Sequence, residues 1–179
     1  VAAGVASASP LAGVPFAAWI VVAILAWVLA AYARTTASMV AIWERSDTFA
    51  HGFLIVPLFL YLVWRDRAAL SAMAPKPAPL VLAGLAAAGL MWLLAAQLRI
   101  NSVAQFAMVA MIPLGVWAVL GTAFVLRLAF PLGFLFFAVP VGEFLIPVLI
   151  EWTADVTVLA IRASGVPVYR EGTFFMIPT

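Results

Sequence analysis

The stretch SDTFAHGFLIVPLFLYLVWRDR, residues 46–67, decides the fold. Its centre, Phe49–Trp64, is an apolar run but for His51, closed by the charged trio Arg65, Asp66 and Arg67. A run of that kind is slightly short of the roughly 20 residues a helix needs to cross hydrocarbon. Two features compensate. Thr48 stands where a helix cap is wanted, and Trp64 falls where an amphipathic ring sits comfortably among headgroups. The stretch therefore predicts a membrane-spanning helix with a polar mouth at Ser46–Gly52 and a charged foot at 65–67.

Composition outside this stretch agrees. Hydrophobic residues make up 68% of the 179, and charged residues 9%, where soluble domains carry about 25% charge. A water-soluble chain with so few charges would expose large apolar patches and aggregate. A net charge of +2, scattered along the chain, excludes a nucleic-acid footprint, and no Arg/Lys cluster reaches the size of a headgroup-binding patch. There is no cysteine, so these residues hold no disulfide framework, thiolate metal site or cysteine nucleophile.

Four further apolar runs flank the first. Leu11–Ala33 is about twice the length of a signal-peptide core and no basic residue precedes it, so it reads as a retained span. Leu80–Leu98 follows the breaker-rich PKPAP linker and offers Ala83, Gly84, Ala87 and Ala88 as a small-residue face for another helix. Val103–Leu120 ends at the turn signal Gly121–Thr122, and Ala123–Val141 carries Arg127 near its start, able to snorkel. The predicted fold is thus all-α, a polytopic transmembrane helical bundle of about five spans in one domain, 1–179. Arg65, Arg67 and Lys76 place the 65–76 linker in the cytoplasm, with Arg127 on the same side. The 34–48 loop and the 97–102 turn then fall outside.

Phe144–Ile161 is different, because Glu151, Asp155 and Arg162 share one helical face. It is either a sixth span with acids turned into the bundle or a helix lying in the outer interface, polar face to water. The second buries no charge and is preferred. Gly165 and Pro167 then end the helix, and Tyr169–Gly172 forms a polar edge.

No complete active site is legible. His51, the one histidine, is read as a loop organiser or substrate contact more readily than as a catalyst. Gly52 beside it permits a close backbone approach. Ser46, Asp47 and His51 sit too close along the chain to converge as nucleophile, orienter and base, so loop capping is the plainer reading. Glu143, Glu151 and Asp155 make a solvated or ion-paired face sooner than a cation site. Arg162 and Arg170 either pair with nearby acids or clasp a carboxylate. No metal and no cofactor is called for. Physical reading alone stops at a polytopic membrane protein, with a transporter subunit or a non-catalytic scaffold among the alternatives.

Three stretches add a resemblance. SDTFAHGFLIVPLFLYLVWRDR (46–67), FPLGFLFFAVPVGEFLIPVLIEWTADVTVLAIRASGVPVYREG (130–172) and the closing FFMIPT together resemble the exosortase family, of the exosortase A type. The resemblance extends over nearly the whole chain. The pairing of EWTAD with GVPVYREG is its most specific part. It implies a multi-span protein of the Gram-negative bacterial inner membrane, acting as a cysteine protease and transpeptidase at the periplasmic face. The implied partners are exported proteins with a C-terminal sorting signal, made of a Pro-Glu-Pro motif, a transmembrane helix and a basic tail, in a system that accompanies exopolysaccharide production. The family's nucleophilic cysteine follows a YREG region in a motif like ACSGLR, with an arginine and a histidine later. None of those positions is among these 179 residues, so the resemblance implies a chain that stops short of its nucleophile. It leaves no catalytic residue here, only His51, Arg170 and Glu171 as residues contacting substrate or supporting the site.

Overall fold

The computed structural model describes residues 15–142, 146–165, 169–171 and 174–176. The helical elements are α1 (Phe16–Ala31), α2 (Ala33–Arg45), α3 (Gly52–Arg65), α4 (Arg67–Ser71), α5 (Val81–Gln97), α6 (Asn101–Leu120), α7 (Thr122–Arg127), α8 (Ala129–Phe134), a 3-10 turn at Leu135–Ala138, and α9 (Ile146–Ala163). Two short strands, β1 (Tyr169–Glu171) and β2 (Phe174–Met176), close the order. The chain divides into two compact units, Val1–Pro140 and Val141–Thr179.

In the first unit α6 is the central post. Ala104, Met108, Ile112 and Val116 are buried along it, and so are Ala107, Met111 and Ala118 on other faces. Buried positions on more than one face let several elements pack on this apolar helix, while Val103, Trp117 and Val119 stay exposed. Around α6 pack Val21 and Leu25 of α1, Met39 and Trp43 of α2, and Ile55, Phe59 and Val63 of α3, in one continuous core. The outer faces are apolar as well. On α3, Phe53, Leu54, Leu58, Tyr61 and Trp64 are all exposed, and on α5 Leu82, Leu90, Leu93 and Leu94 are. A surface like that is stable against hydrocarbon and unstable in water.

The all-α class holds, with a two-residue-linked antiparallel hairpin as the addition: Tyr169 pairs with Met176, Arg170 with Phe175 and Glu171 with Phe174. The span pattern is more broken than the sequence suggests. Among the described residues one helix, Asn101–Leu120, is long and apolar enough by itself to cross a membrane. The first predicted span is helical over Phe16–Ala31, and the chain then turns by 89° into α2 rather than entering a loop at 34–48. The reason is α2's own pattern. Met39, Ile42 and Trp43 are buried while Arg34, Glu44 and Arg45 are exposed, an amphipathic helix that lies across the end of the bundle. Thr36 secures the bend by donating to Leu29 O at 3.0 Å.

The fifth predicted span, Ala123–Val141, is three short pieces, α7, α8 and the 3-10 turn, in a segment holding Pro131, Gly133 and Pro140. The predicted small-residue face of α5 is shifted too. The side turned inward is Val81, Leu85, Ala88, Trp92 and Ala95, while Ala83 and Ala87 face out. Alternating steps of three and four residues keep that stripe on one side of the helix.

The PKPAP linker is not slack. Proline at 75, 77 and 79 leaves backbone N–H groups on Lys76 and Ala78 alone. Both are used: Lys76 N donates to Leu120 O at 3.0 Å and Ala78 N to Ala118 O at 3.1 Å. They satisfy two of the carbonyls that every helix C-terminus leaves without partners. Gly121, at φ 96°, makes the close turn beneath Lys76 O.

The first unit therefore has two ends. One holds the foot of α3, the α4 turn, the PKPAP linker and the α6–α7 junction. There Arg127 Nε meets Asp66 Oδ2 at 3.1 Å, and Arg67 lies 4.1 Å over the Trp64 ring. The expectation that Arg127 shares a side with the 65–76 linker is met. The other end holds α2, the 46–51 turn, the α5–α6 turn and the 3-10 turn.

The second unit is α9 and the hairpin. Glu151, Asp155 and Arg162 are exposed on α9, as are Trp152, Val156 and Leu159 next to them. Gly165 takes φ 85° immediately beyond the helix, the left-handed cap expected there. Pro167, Glu143 and Gly172 lie outside the described residues.

Candidate functional site

The polar mouth that the sequence placed at Ser46–Gly52 is a built structure. α2 ends at Arg45, with Ser46 N on Ile42 O at 3.0 Å, and backbone turns lead directly into α3 through Phe49 N to Ser46 O and Gly52 N to Phe49 O. Thr48 does not cap α3 with its side chain; His51 occupies the cap position, with no side-chain cap bond. Thr48 instead offers its carbonyl, 3.0 Å from His51 Nδ1.

The other ring nitrogen, Nε2, lies 3.2 Å from Phe137 O. Both partners are carbonyls, which only accept. A neutral imidazole has one N–H and can satisfy one of them; the imidazolium satisfies both. One residue further on, Ala138 O accepts from Trp43 Nε1 at 2.9 Å, and this bond is buried. Two side chains from the α2–α3 corner thus hold two consecutive carbonyls of the 3-10 turn, 86 and 95 residues away in sequence. Those carbonyls need outside partners because a one-turn 3-10 helix leaves most of its acceptors free.

Gly52 makes the arrangement possible. A Cβ there would fall 2.5 Å from Trp43 Nε1 and 2.6 Å from its Cδ2. A close approach at this glycine was expected of a backbone; it is made instead by an indole side chain, which also meets Phe53 edge-on at 5.4 Å between centroids.

The serine, aspartate and histidine of this corner do not form a catalytic line. Both nitrogens of His51 are turned to backbone carbonyls, which suits the loop-organising reading. Glu151 and Asp155 belong to α9, and among the described residues no group of three or more His, Cys, Asp or Glu could hold a metal ion. Arg170 and Glu171 are neighbours on β1.

Sequence reasoning missed two features. One is Trp43, whose partner can be found only once the fold is known. The other is a polar cluster where α2, α5 and α6 meet: Trp92 Nε1 donates to Thr35 Oγ1 at 3.0 Å, Gln105 Nε2 to Ser38 Oγ at 3.1 Å, and Ser38 Oγ to Thr35 O at 2.7 Å. Gln105 is 1% exposed, and its Oε1 accepts no hydrogen bond from the described residues. A glutamine inside an apolar helix was the available signal.

Residues 43–179, from Trp43 onward, match the family model described as Transmembrane exosortase (Exosortase_EpsH). No curated protein matches the chain, and no solved structure does.

Proposed function

The chain belongs to the transmembrane exosortase family, and from that premise we propose that it is the membrane-embedded front part of a cysteine transpeptidase that processes C-terminal Pro-Glu-Pro sorting signals of exported proteins. The family match is the observation that carries the proposal. In this reading the protein sits as a multi-pass bundle in a bacterial inner membrane and serves a sorting system linked to exopolysaccharide production. The α2–His51 end faces the periplasm.

Charge distribution supports that orientation. The foot of α3, the linker and α7 hold Arg65, Arg67, Lys76 and Arg127 against Asp66 alone; the opposite end holds Arg34, Arg45 and Arg99 against Glu44 and Asp47. An excess of Lys/Arg marks the cytoplasmic side. The interrupted spans are compatible with a bilayer because the broken backbone finds partners within the protein, as Trp43 and His51 provide at 137–138.

The chemistry would run through a thiolate supplied by a part of the polypeptide outside these 179 residues, which contain no cysteine. The thiolate attacks the scissile carbonyl, the amide C–N bond breaks, the downstream amine leaves with a proton, and a thioester remains. Water or an acceptor amine then releases the acyl group and restores the thiol. Arg170, Glu171 and His51 are the residues of this chain that the proposal leaves to contact substrate or support catalysis.

The test is co-expression of the parent gene with a secreted reporter ending in Pro-Glu-Pro, an apolar helix and a basic tail. Loss of the tail by the parent protein, and its retention with the 179-residue chain, is the expected result. A tail retained in both, with the parent protein present in the membrane, contradicts the proposal.

A further inference from the structure

No run along the sequence is basic enough to hold a lipid headgroup, but the fold gathers charges that the sequence scatters. Arg65 ends α3, Arg67 opens α4, Lys76 lies in the PKPAP linker and Arg127 ends α7. The linker is bonded to the end of α6 through Lys76 N and Leu120 O at 3.0 Å, and Arg127 Nε reaches Asp66 Oδ2 at 3.1 Å. All four cations therefore belong to one end of the first unit. Their states differ. Arg127 is paired with Asp66, and Arg67 donates from Nη1 to Trp64 O at 3.1 Å while its guanidinium lies over the Trp64 ring. Arg65 and Lys76 are exposed, and their side chains meet no acid or acceptor among the described residues.

The same end carries exposed indoles. Trp64 stands in the last turn of α3 and Trp117 in the last turn of α6, where its Nε1 donates to Thr122 Oγ1 at 2.9 Å. Trp19 is level with them, because α1 runs antiparallel to α6: Ile24 lies against Gly115, and Thr36, beyond the end of α1, reaches Met108. Trp19, before Ile24, is exposed and falls beside the end of α6. Tryptophan is the residue of the headgroup zone, and the 4.1 Å between Arg67 and the Trp64 ring puts charge and ring at one depth. Two requirements select the occupant. The free cations want anions, while the indoles and the exposed row Leu54, Leu58 and Tyr61 on α3 want to be out of water. A nucleic acid or a soluble acidic protein meets the first requirement alone, and hydrocarbon the second alone. The phosphate zone of a bilayer leaflet meets both.

We propose that this end of the first unit binds the headgroups of anionic phospholipids, with Arg65 and Lys76 donating to phosphate oxygens and Trp19, Trp64 and Trp117 fixing the depth. Hydrogen bonds between such ionised partners are the strong ones. The opposite end offers no equivalent, since Arg34, Arg45 and Arg99 there stand with Glu44 and Asp47. The site rests on the membrane reading of the chain, and neither on its orientation nor on the transpeptidase chemistry.

The probes are phosphatidylglycerol and phosphatidylcholine with the same acyl chains, titrated into the detergent-solubilised 179-residue chain and counted as bound lipids by native mass spectrometry. The first phosphatidylglycerol should bind about fivefold more tightly than the first phosphatidylcholine for each free cation it engages, and the preference should shrink as ammonium acetate is raised. Arg65→Gln with Lys76→Gln should abolish it. Arg65→Lys with Lys76→Arg, which keeps the charge, should retain it, and so should Arg34→Gln with Arg45→Gln at the other end. Equal affinity for the two lipids would overturn the site. So would a preference that survives Arg65→Gln with Lys76→Gln, or one lost in the charge-conserving pair or in the α2 pair. A chain that stays dispersed without detergent and retains neither lipid would instead overturn the membrane reading beneath it.

Discussion

Replacing Gly52 by alanine tests the corner where α2, α3 and the 3-10 turn meet. The new Cβ would lie 2.5 Å from Trp43 Nε1, far inside van der Waals contact, so the ring must move. The atom it meets belongs to a rigid indole, 8% exposed and within the main core, with little room to give. Overpacking of that kind costs about 1–3 kcal/mol. Moving the ring also breaks the Trp43 Nε1–Ala138 O bond, and a buried carbonyl left without its donor costs about 1–3 kcal/mol more. The expected loss is therefore about 2–6 kcal/mol, large against the stability of a typical domain. The assay is equilibrium unfolding in mixed micelles of mild detergent and dodecyl sulfate, with near-ultraviolet dichroism following the tryptophans. Gly89→Ala is the control, because a Cβ at Gly89 meets nothing within 4 Å; there alanine should be neutral or stabilising by up to about 1 kcal/mol. A Gly52→Ala protein within about 0.5 kcal/mol of the parent would refute the reasoning.

Gly121→Ala should be as damaging, since φ 96° and the Lys76 carbonyl both oppose a Cβ; the check is the same unfolding assay, with protease sensitivity rising first in the PKPAP linker. Gln105→Leu removes an acceptor that is buried without a donor but also the Nε2–Ser38 Oγ hydrogen bond, so the two effects should offset and leave stability within about 1 kcal/mol of the parent; a fall of more than about 2 kcal/mol would mean Oε1 is satisfied as well. The Asp66–Arg127 pair, with side chains 23% and 49% exposed, should show a coupling of only about 0.2–1 kcal/mol in an Asp66→Asn, Arg127→Gln double-mutant cycle, shrinking as salt is added.

The apolar runs were legible because hydrophobic continuity is a local property. Phe49–Trp64, Leu80–Leu98 and Val103–Leu120 differ from α3, α5 and α6 by no more than three residues at either end. Gly52 and Gly165 were legible because each needs what only glycine tolerates, a missing Cβ or a positive φ. The helix α2 was not, although its apolar positions 39, 42 and 43 carry a helical period. Arginine and glutamate in a short segment between two long apolar runs look like a loop, and only the packing of Trp43 on Gly52 shows otherwise. The breaks in the fifth run follow from proline and glycine at 131, 133 and 140, but their number depends on where tertiary partners take up the freed carbonyls. His51 stands at the N-terminal end of α3, where the apolar run begins. Its two carbonyl partners could not be foreseen, because one of them lies 86 residues away.

The most direct test of the account is the sidedness of the two ends. Because the chain has no cysteine, single cysteines can be introduced against a silent background. Asp47→Cys reports the α2–His51 end and Ser71→Cys the foot of α3, both exposed positions. In intact bacterial cells with a permeabilised outer membrane, a membrane-impermeant maleimide should label position 47 and leave 71 untouched until the inner membrane is opened. Labelling of 71 from outside, or of both positions at once, would contradict the orientation on which the proposed sorting reaction depends.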